Sequence, residues 1–347
     1  MIAPQQTRSA LDALYDLILT RLFTIESKGE LPATLEQLCC AARTQDDALP
    51  LALLPVWSYA AVGGHDWQQA VGVAAAWRAL HLAGKLLNDA ADGRPSALLP
   101  DEPVTSLLNA GVSLVFLAQA ILVVESPEPG ETSPGCIPPD VALVLQAEFA
   151  HAGLRAAAGQ HTRLKSGAKW SLADYQAAVA RRSGGPFALA TRAGALLMQG
   201  ELAGAGERRG VWPAQVQALT DYGHHLGSML QLADDFNGIW RPRGRSDLAS
   251  GKRTWPLLYA EALAARRADQ RARLVALVRR APDDPAAEEA ARSLLVRLDV
   301  PLAMILAAEE KRRLAEAALE RLADSEARQA LVGLVRRIAL APQEMQP

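Results

Sequence analysis

The sequence lacks most of the features that would direct it to a metal-cage, secreted, membrane or nucleic-acid role. It has three cysteines in 347 residues, Cys39, Cys40 and Cys136. An adjacent pair with a distant third forms no CxxC and has no zinc-site spacing. A reduced intracellular chain with free thiols is the simple expectation. Neither charge dominates: 36 lysines and arginines stand against 38 aspartates and glutamates, for a formal charge of -2. A dedicated nucleic-acid surface needs a strong basic field, so no nucleic-acid partner is expected. The amino terminus has no basic start or cleavage pattern, and Asp12 and Asp16 interrupt its apolar run. The longest apolar runs, ALPLALLPVWSYAAVGG and VSLVFLAQAILVV, fall short of the roughly 20 residues of a membrane span. We therefore expect no transmembrane segment and a cytoplasmic location, with peripheral membrane contact left open.

Strand-like alternation of β-branched and aromatic residues is also nearly absent. Alanine and leucine dominate instead, and half of the residues are apolar. Both are strong helix formers, so an all-α fold is expected. The pattern predicts helices at 8–26, 34–44, 48–62, 66–91, 103–124, 139–164, 172–199, 212–240, 255–281, 286–297, 300–322 and 324–339. Residues 125–139, with five prolines and two glycines, predict a long loop, and residues 240–254 a second. GELAGAGERRG at 200–210 predicts a flexible loop, and RAPDDPAAEE breaks the chain near 280.

Two aspartate clusters stand out at the ends of apolar helices. The first is Asn88-Asp89-Ala90-Ala91-Asp92, ended by Gly93 and Pro95. At spacings of three and four residues, Asn88, Asp89 and Asp92 project to one side of a turn. Oxygen ligands there suit magnesium, which takes a few carboxylates plus water and phosphate oxygens. The second is Asp234-Asp235, preceded by Gly223, Gly227 and Gln231 at helical steps. On that spacing Asp234 shares the Gly227–Gln231 face, and Asp235 is engaged less directly. A basic loop follows, with Arg241, Arg243, Arg245, Lys252 and Arg253; guanidinium groups suit phosphate oxygens. Opposed carboxylate clusters with cations beside them fit magnesium bridging a diphosphate. Below Asn88, Gly84 and Ala83 are small, and Trp77, about 16 Å down the helix, is a candidate pocket floor. Each feature also has a plainer reading: a solvated helix end, a charged surface loop, a tryptophan packed in the core.

These residues resemble the trans-isoprenyl diphosphate synthase (polyprenyl synthetase) family, over roughly residues 10–340. YGHHLGSMLQLADDFNG resembles the family's second motif region, a glycine-containing helix, a glutamine and then DDxxD. SDLASGKRTWPLLYA resembles the loop that follows, through Asp247, Leu248, Gly251, Lys252, Thr254 and Pro256. LLNDAADGRP, with Arg94, resembles the first motif, and GQHTRL at 159–164 the glycine-glutamine helix. Tyr175 is followed by Arg182-Ser183 where the family tends to have lysine-threonine. Departures are equally specific. Asn88 replaces the first aspartate of the first motif, and Gly238 the last of the second. The amino-terminal glycine-lysine-arginine element that binds isopentenyl diphosphate is unrecognisable in ESKGELPATLEQ, where Lys28 is the one basic residue.

The resemblance implies a class I isoprenoid synthase helical bundle around a central apolar pocket, one domain over 1–347, and a homodimer. It implies magnesium at Asp89, Asp92, Asp234 and Asp235. Asp89, Asp92, Asp234 and Lys252 would act in catalysis, and Asn88, Arg94, Arg182, Gln231 and Lys252 would bind an allylic isoprenyl diphosphate. Three functions fit: a prenyltransferase joining that substrate to an acceptor such as isopentenyl diphosphate, a terpene synthase-like enzyme using one diphosphate, or a non-catalytic subunit that keeps the fold.

Overall fold

In the computed structural model, the described residues are 4–123, 135–166, 170–204, 213–242, 245–263, 268–338 and 340. They form helices with no strand ladder, only an isolated bridge between Ser96 and Leu99. The helices are α1 (Pro4–Ile25), α2 (Glu30–Ala48), α3 (Leu54–Ala61), α4 (Val71–Ala91), α5 (Val104–Leu122), α6 (Pro139–Ser166) and α7 (Leu172–Val179). They continue as α8 (Gly185–Gly204), α9 (Pro213–Trp240), α10 (Trp255–Leu263), α11 (Ala268–Arg280), α12 (Pro285–Arg297), α13 (Val300–Leu319) and α14 (Glu326–Arg336). The all-α expectation holds.

The departures have local causes. The helix expected at 172–199 is interrupted by a π-helical segment, Ala180–Gly184. The helix expected over 255–281 is described as α10 and α11, with 264–267 outside the described residues. Residues 200–204 of the expected loop continue α8, because Leu202 and Ala203 keep the helix-forming composition; 205–212 lie outside the described residues. Most of the expected 125–139 loop also lies outside them. The break near 280 is confirmed: Asp284 caps α12 through Ala286 N–H and Ala287 N–H, with Pro285 opening the helix.

The chain divides into two compact units. The first comprises Met1–Leu154, Pro186–Gly223 and Ala317–Leu334; the second comprises Arg155–Gly185, His224–Glu316 and Val335–Pro347.

In the first unit α4 is central, packed along α5 and against α1. Residues 71–79 of α4 are buried on every side, as a helix apolar all round must be. One charge breaks that rule. Arg78, 3% exposed, pairs through Nε with Asp46 Oδ2 at 2.9 Å, and Asp46 is 2% exposed. The Tyr15 hydroxyl donates to Asp46 Oδ2 at 2.6 Å and accepts from Arg78 Nε at 3.0 Å. Arg78 also donates to the Ala42 carbonyl, and the Ala52 N–H to Asp46 Oδ1. Burial pushes the Asp46 carboxyl up, whereas Asp46 and Tyr15 keep Arg78 protonated. The network ties α1 and α2 to one register of α4.

α5 is 19 residues and, by length and composition, long and apolar enough to cross a membrane; 39% of its apolar window is buried. Its outward residues include Leu108, Val112 and Phe116, all exposed.

Breaking the ion pair from one side should be costly. Asp46→Ala strands a buried guanidinium and should lower the urea-unfolding free energy by roughly 3–5 kcal/mol. Replacing both members with apolar residues, Asp46→Leu with Arg78→Met, should recover most of that loss. A single variant within about 0.5 kcal/mol of wild type would contradict this role.

Candidate diphosphate site

The first cluster lies in the first unit, at the end of α4. Asp92 caps the helix and Gly93 follows at φ 64°. Gly93 N–H bonds the Ala90 carbonyl, and Arg94 N–H the Asp89 carbonyl. This is the Schellman ending, and a left-handed residue makes it cheap for glycine. The chain reversal brings the Arg94 guanidinium back over the helix, 3.1 Å from Asp89 Oδ1 and 3.2 Å from Asp92 Oδ2. The cation offsets two carboxylates at the negative end of the helix dipole. Burial raises the Asp89 pKa, and Arg94 and the Ser96 hydroxyl oppose the shift. The structure thus seats Arg94 on Asp89 and Asp92.

A Cβ on Gly84 would meet open space, but Ala83 is fully buried. Trp77 is 1% exposed and its ring N–H donates to the Pro186 carbonyl at 2.7 Å. It stacks on His81 at 4.9 Å, and Phe187 meets both rings edge-on. Burial and Arg78 push His81 well below its usual range, so the imidazole is neutral.

The second cluster lies in the second unit, and its two aspartates have opposite environments. Asp235 is 2% exposed, whereas Asp234 is exposed. Asp235 Oδ2 accepts from the Tyr175 hydroxyl and from Trp255 N–H, the latter at 3.1 Å. Its Oδ1 accepts from Gln231 Nε2 at 2.8 Å. Burial pushes the Asp235 carboxyl up to about 6 against those three bonds. The face expected to join Gln231 to Asp234 joins Gln231 to Asp235 instead, because the amide reaches four residues along the helix.

Gln231 Oε1 in turn accepts from Ser183 Oγ at 2.8 Å and from Arg182 at 3.1 Å. Both donors come from the π-helical segment, a local distortion frequent at functional sites. Arg182 also reaches Gln160, the glutamine of the GQHTRL segment, at 3.4 Å. Sequence reasoning named Arg182 and Gln231 separately and gave Tyr175, Ser183 and Gln160 no role in the site. Tyr175 was signalled by its family position; its pairing with Asp235, sixty residues away in sequence, was not.

The loop expected at 240–254 returns to α9. Asp247 N–H donates to the Gly238 carbonyl at 2.9 Å, and Lys252 N–H to the Asp247 carbonyl at 2.8 Å. Lys252 Nζ is 4.0 Å from Asp247 Oδ1. Arg253 is held by both oxygens of Glu261, at 2.8 and 2.7 Å, and Arg245 donates to the Pro282 carbonyl. Arg243 lies outside the described residues.

The donors in both clusters are oxygens, the chemistry that suits a hard divalent cation. Among the described residues no three His, Cys, Asp or Glu side chains converge as a ready metal cage. Magnesium does not require one, since it takes one or two carboxylates and completes its shell with water and phosphate.

The neighbouring aspartates should respond differently to truncation. Asp235→Ala leaves a buried hydroxyl, an amide and a backbone N–H without their acceptor and should cost roughly 2–4 kcal/mol. Asp234→Ala should change stability by less than about 0.5 kcal/mol. Equal losses in denaturant titrations of the two variants would refute the assignment of Asp235 as the anchor.

Comparison with known proteins bears on the fold and on the second cluster. Octaprenyl diphosphate synthase of Haemophilus influenzae is 35% identical over 131 residues, 35% of this chain and 38% of that protein. The chain therefore spans well under half the length of that curated relative in the match. Decaprenyl diphosphate synthase from Rhodobacter capsulatus superposes with a TM-score of 0.73 at 22% identity, over 96% of this chain and 98% of that one. The polyprenyl synthase from Caulobacter crescentus CB15, solved with calcium and isoprenyl diphosphate, superposes with a TM-score of 0.73 at 24% identity, over 95% and 94%. At these identities the likeness is one of fold, and it is the all-α class I isoprenoid synthase fold. The family described as polyprenyl synthetase matches residues 108–295, beginning after the first cluster and containing the second. With more than half of its length matched, Asp234, Asp247 and Lys252 included, this chain belongs to the polyprenyl synthetase family.

Proposed function

We propose that the protein is a magnesium-dependent prenyltransferase that ionises an allylic isoprenyl diphosphate and joins it to an isoprenoid acceptor such as isopentenyl diphosphate. The observation that carries this reading is the split within the second cluster. Asp235 is locked into the second unit by three donors. Asp234 is exposed six residues before the end of α9, in the unit whose loop carries Lys252 against Asp247.

In this reading Asp89 and Asp92 would hold magnesium in the first unit, with Asn88 offering a neutral oxygen, and Asp234 would hold magnesium in the second. Asp235 serves by orienting its neighbour. Magnesium bound to the diphosphate would draw charge onto the leaving pyrophosphate. Lys252 and Arg94 would each supply positive charge to phosphate oxygens. Arg182 holds Gln231, and through it the anchored Asp235. The α4 surface beneath Asn88, open at Gly84, provides an apolar wall for the prenyl chain.

One observation favours a second reading. Residues 26–37 keep a single basic residue, Lys28, exposed before α2. A second diphosphate would need more positive charge than that, so an enzyme that ionises one diphosphate alone is the alternative. Incubation with magnesium and allylic diphosphates, with and without isopentenyl diphosphate, separates the two. The main reading predicts pyrophosphate release and a longer prenyl product only when both are present, with Asp234→Ala reducing turnover at least about 100-fold. Release without the acceptor favours the alternative, and no release in any arm would refute both.

We also propose a homodimer through α5. Leu108, Val112 and Phe116 recur every four residues on its outer face and are 44%, 47% and 69% exposed. Apolar surface arranged as a stripe marks an interaction site, and a second copy buries such a stripe against itself. Sedimentation at micromolar concentration should give twice the monomer mass, and Phe116→Glu should shift the protein toward monomer. A wild type that sediments as monomer would remove this proposal.

A further inference from the structure

The loop that carries Lys252 is tied to α12, a helix outside both aspartate clusters. The last four carbonyls of a helix lack intrahelical partners, and in α9 one of them is met from outside. Arg292 of α12 donates from Nε to the Ile239 carbonyl at 3.1 Å. Further along the loop, the Ser246 hydroxyl donates to Glu288 Oε1 of α12 at 2.7 Å. The same oxygen accepts from Arg292 Nη2 at 2.6 Å, and Glu289 takes Nη1. Between these points, Arg245 donates at 3.1 Å to the Pro282 carbonyl in the turn before α12. Among the described residues, the chain is thus held at Ile239, Arg245 and Ser246, where it leaves α9 and where it enters the turn before Lys252.

Each partner is itself fixed. Glu288 and Arg292 are four apart with the acid first, the favoured order for a helical pair. Asp284 caps α12 at a defined residue, and burial of Ala287, Ala291, Leu294 and Leu295 sets its rotation. Ser246 is 3% exposed and also accepts from Ala249 N–H at 3.1 Å. From there backbone bonds close the turn. Ser250 N–H reaches the Ser246 carbonyl at 2.9 Å, Asp247 N–H the Gly238 carbonyl at 2.9 Å, and Lys252 N–H the Asp247 carbonyl at 2.8 Å. A displacement at Ser246 is therefore carried to Lys252. Apolar packing is non-directional and would let the loop slide on α12; hydrogen bonds to charged groups fix its place.

We propose that Glu288 and Arg292 are positioning residues for the diphosphate site. Acting through Ser246 and the Ile239 carbonyl, they hold the loop in the shape that presents Lys252 to phosphate oxygens before any ligand arrives. Ordering a loop at the moment of binding subtracts from affinity, and a loop ordered in advance avoids that loss. Neither residue is a phosphate ligand, since both are committed to each other and to the loop. This deepens the diphosphate reading above and rests on it.

Calorimetry of inorganic pyrophosphate on the full chain, with and without magnesium and well below the thermal transition, tests the positioning role. Glu288→Ala and Ser246→Ala should each bind magnesium pyrophosphate about tenfold more weakly than wild type, the scale of one lost hydrogen bond to a charged group. Glu288→Gln keeps an oxygen that accepts from Ser246 and should stay within about threefold of wild type. Tyr222→Phe, which removes a buried hydrogen bond to the Leu331 carbonyl in the first unit, should lose thermal stability and keep its affinity. Hydrogen exchange adds a readout that lost stability alone would not move. The Asp247 and Lys252 amides should be protected in wild type without ligand, and in Ser246→Ala only once magnesium pyrophosphate is bound. If Glu288→Ala fails to fold, Ser246→Ala carries the test, since it leaves the ion pair in place. Wild-type affinity in the folded alanine variants, or Glu288→Gln as weak as those variants, would overturn the inference while leaving the diphosphate reading intact. A wild type with no magnesium-dependent affinity for pyrophosphate would overturn that reading and this inference with it.

Discussion

A carboxylate taken out of water must be surrounded by donors or give up its charge. The second unit is organised around one such carboxylate, Asp235. Tyr175 from α7, Gln231 from α9 and the first N–H of α10 converge on it. One side chain thereby fixes the rotation of α9 relative to α7 and the point at which α10 begins. Successive residues on a helix are turned by about 100°, so burying Asp235 turns Asp234 outward. The functional proposal depends on that consequence: the anchored aspartate aims the exposed one.

The first unit uses a buried charge in the same way. Arg78 and Asp46 sit in the core with Tyr15 between them. Apolar residues would pack there at lower electrostatic cost, but they would not specify one register among many alanine-rich alternatives. Ten residues further along α4 is Asn88, and the register set at Arg78 determines which way Asn88 and Asp89 face. At the helix end the local chemistry takes over. Gly93 reverses the chain, and Arg94 returns to neutralise Asp89 and Asp92.

Helix content and most helix limits were legible because alanine and leucine dominate each segment and prolines and glycines separate them. The two aspartate clusters were legible because their spacing is local. The rest depended on distance. Nothing in the sequence near Asp46 announces Arg78, and nothing near Asp235 announces Tyr175; each pairing closes a long loop of chain. The π-helical segment at 180–184 has helix-forming composition and so read as ordinary helix. Gly238 read as the loss of a carboxylate. The loop beyond it places the Asp247 carboxylate against it, a contact that the local sequence does not announce.

The central claim is that the paired aspartates divide their work, Asp234 facing a cation and diphosphate while Asp235 holds the frame. A crystal structure of the full chain with magnesium and a non-hydrolysable allylic diphosphate analogue tests it most directly. The account predicts a magnesium ion liganded by Asp234 and analogue phosphate oxygens, with Asp235 still bonded to Tyr175, Gln231 and the Trp255 N–H. Direct coordination of the metal by Asp235, with Asp234 turned to solvent, would contradict it.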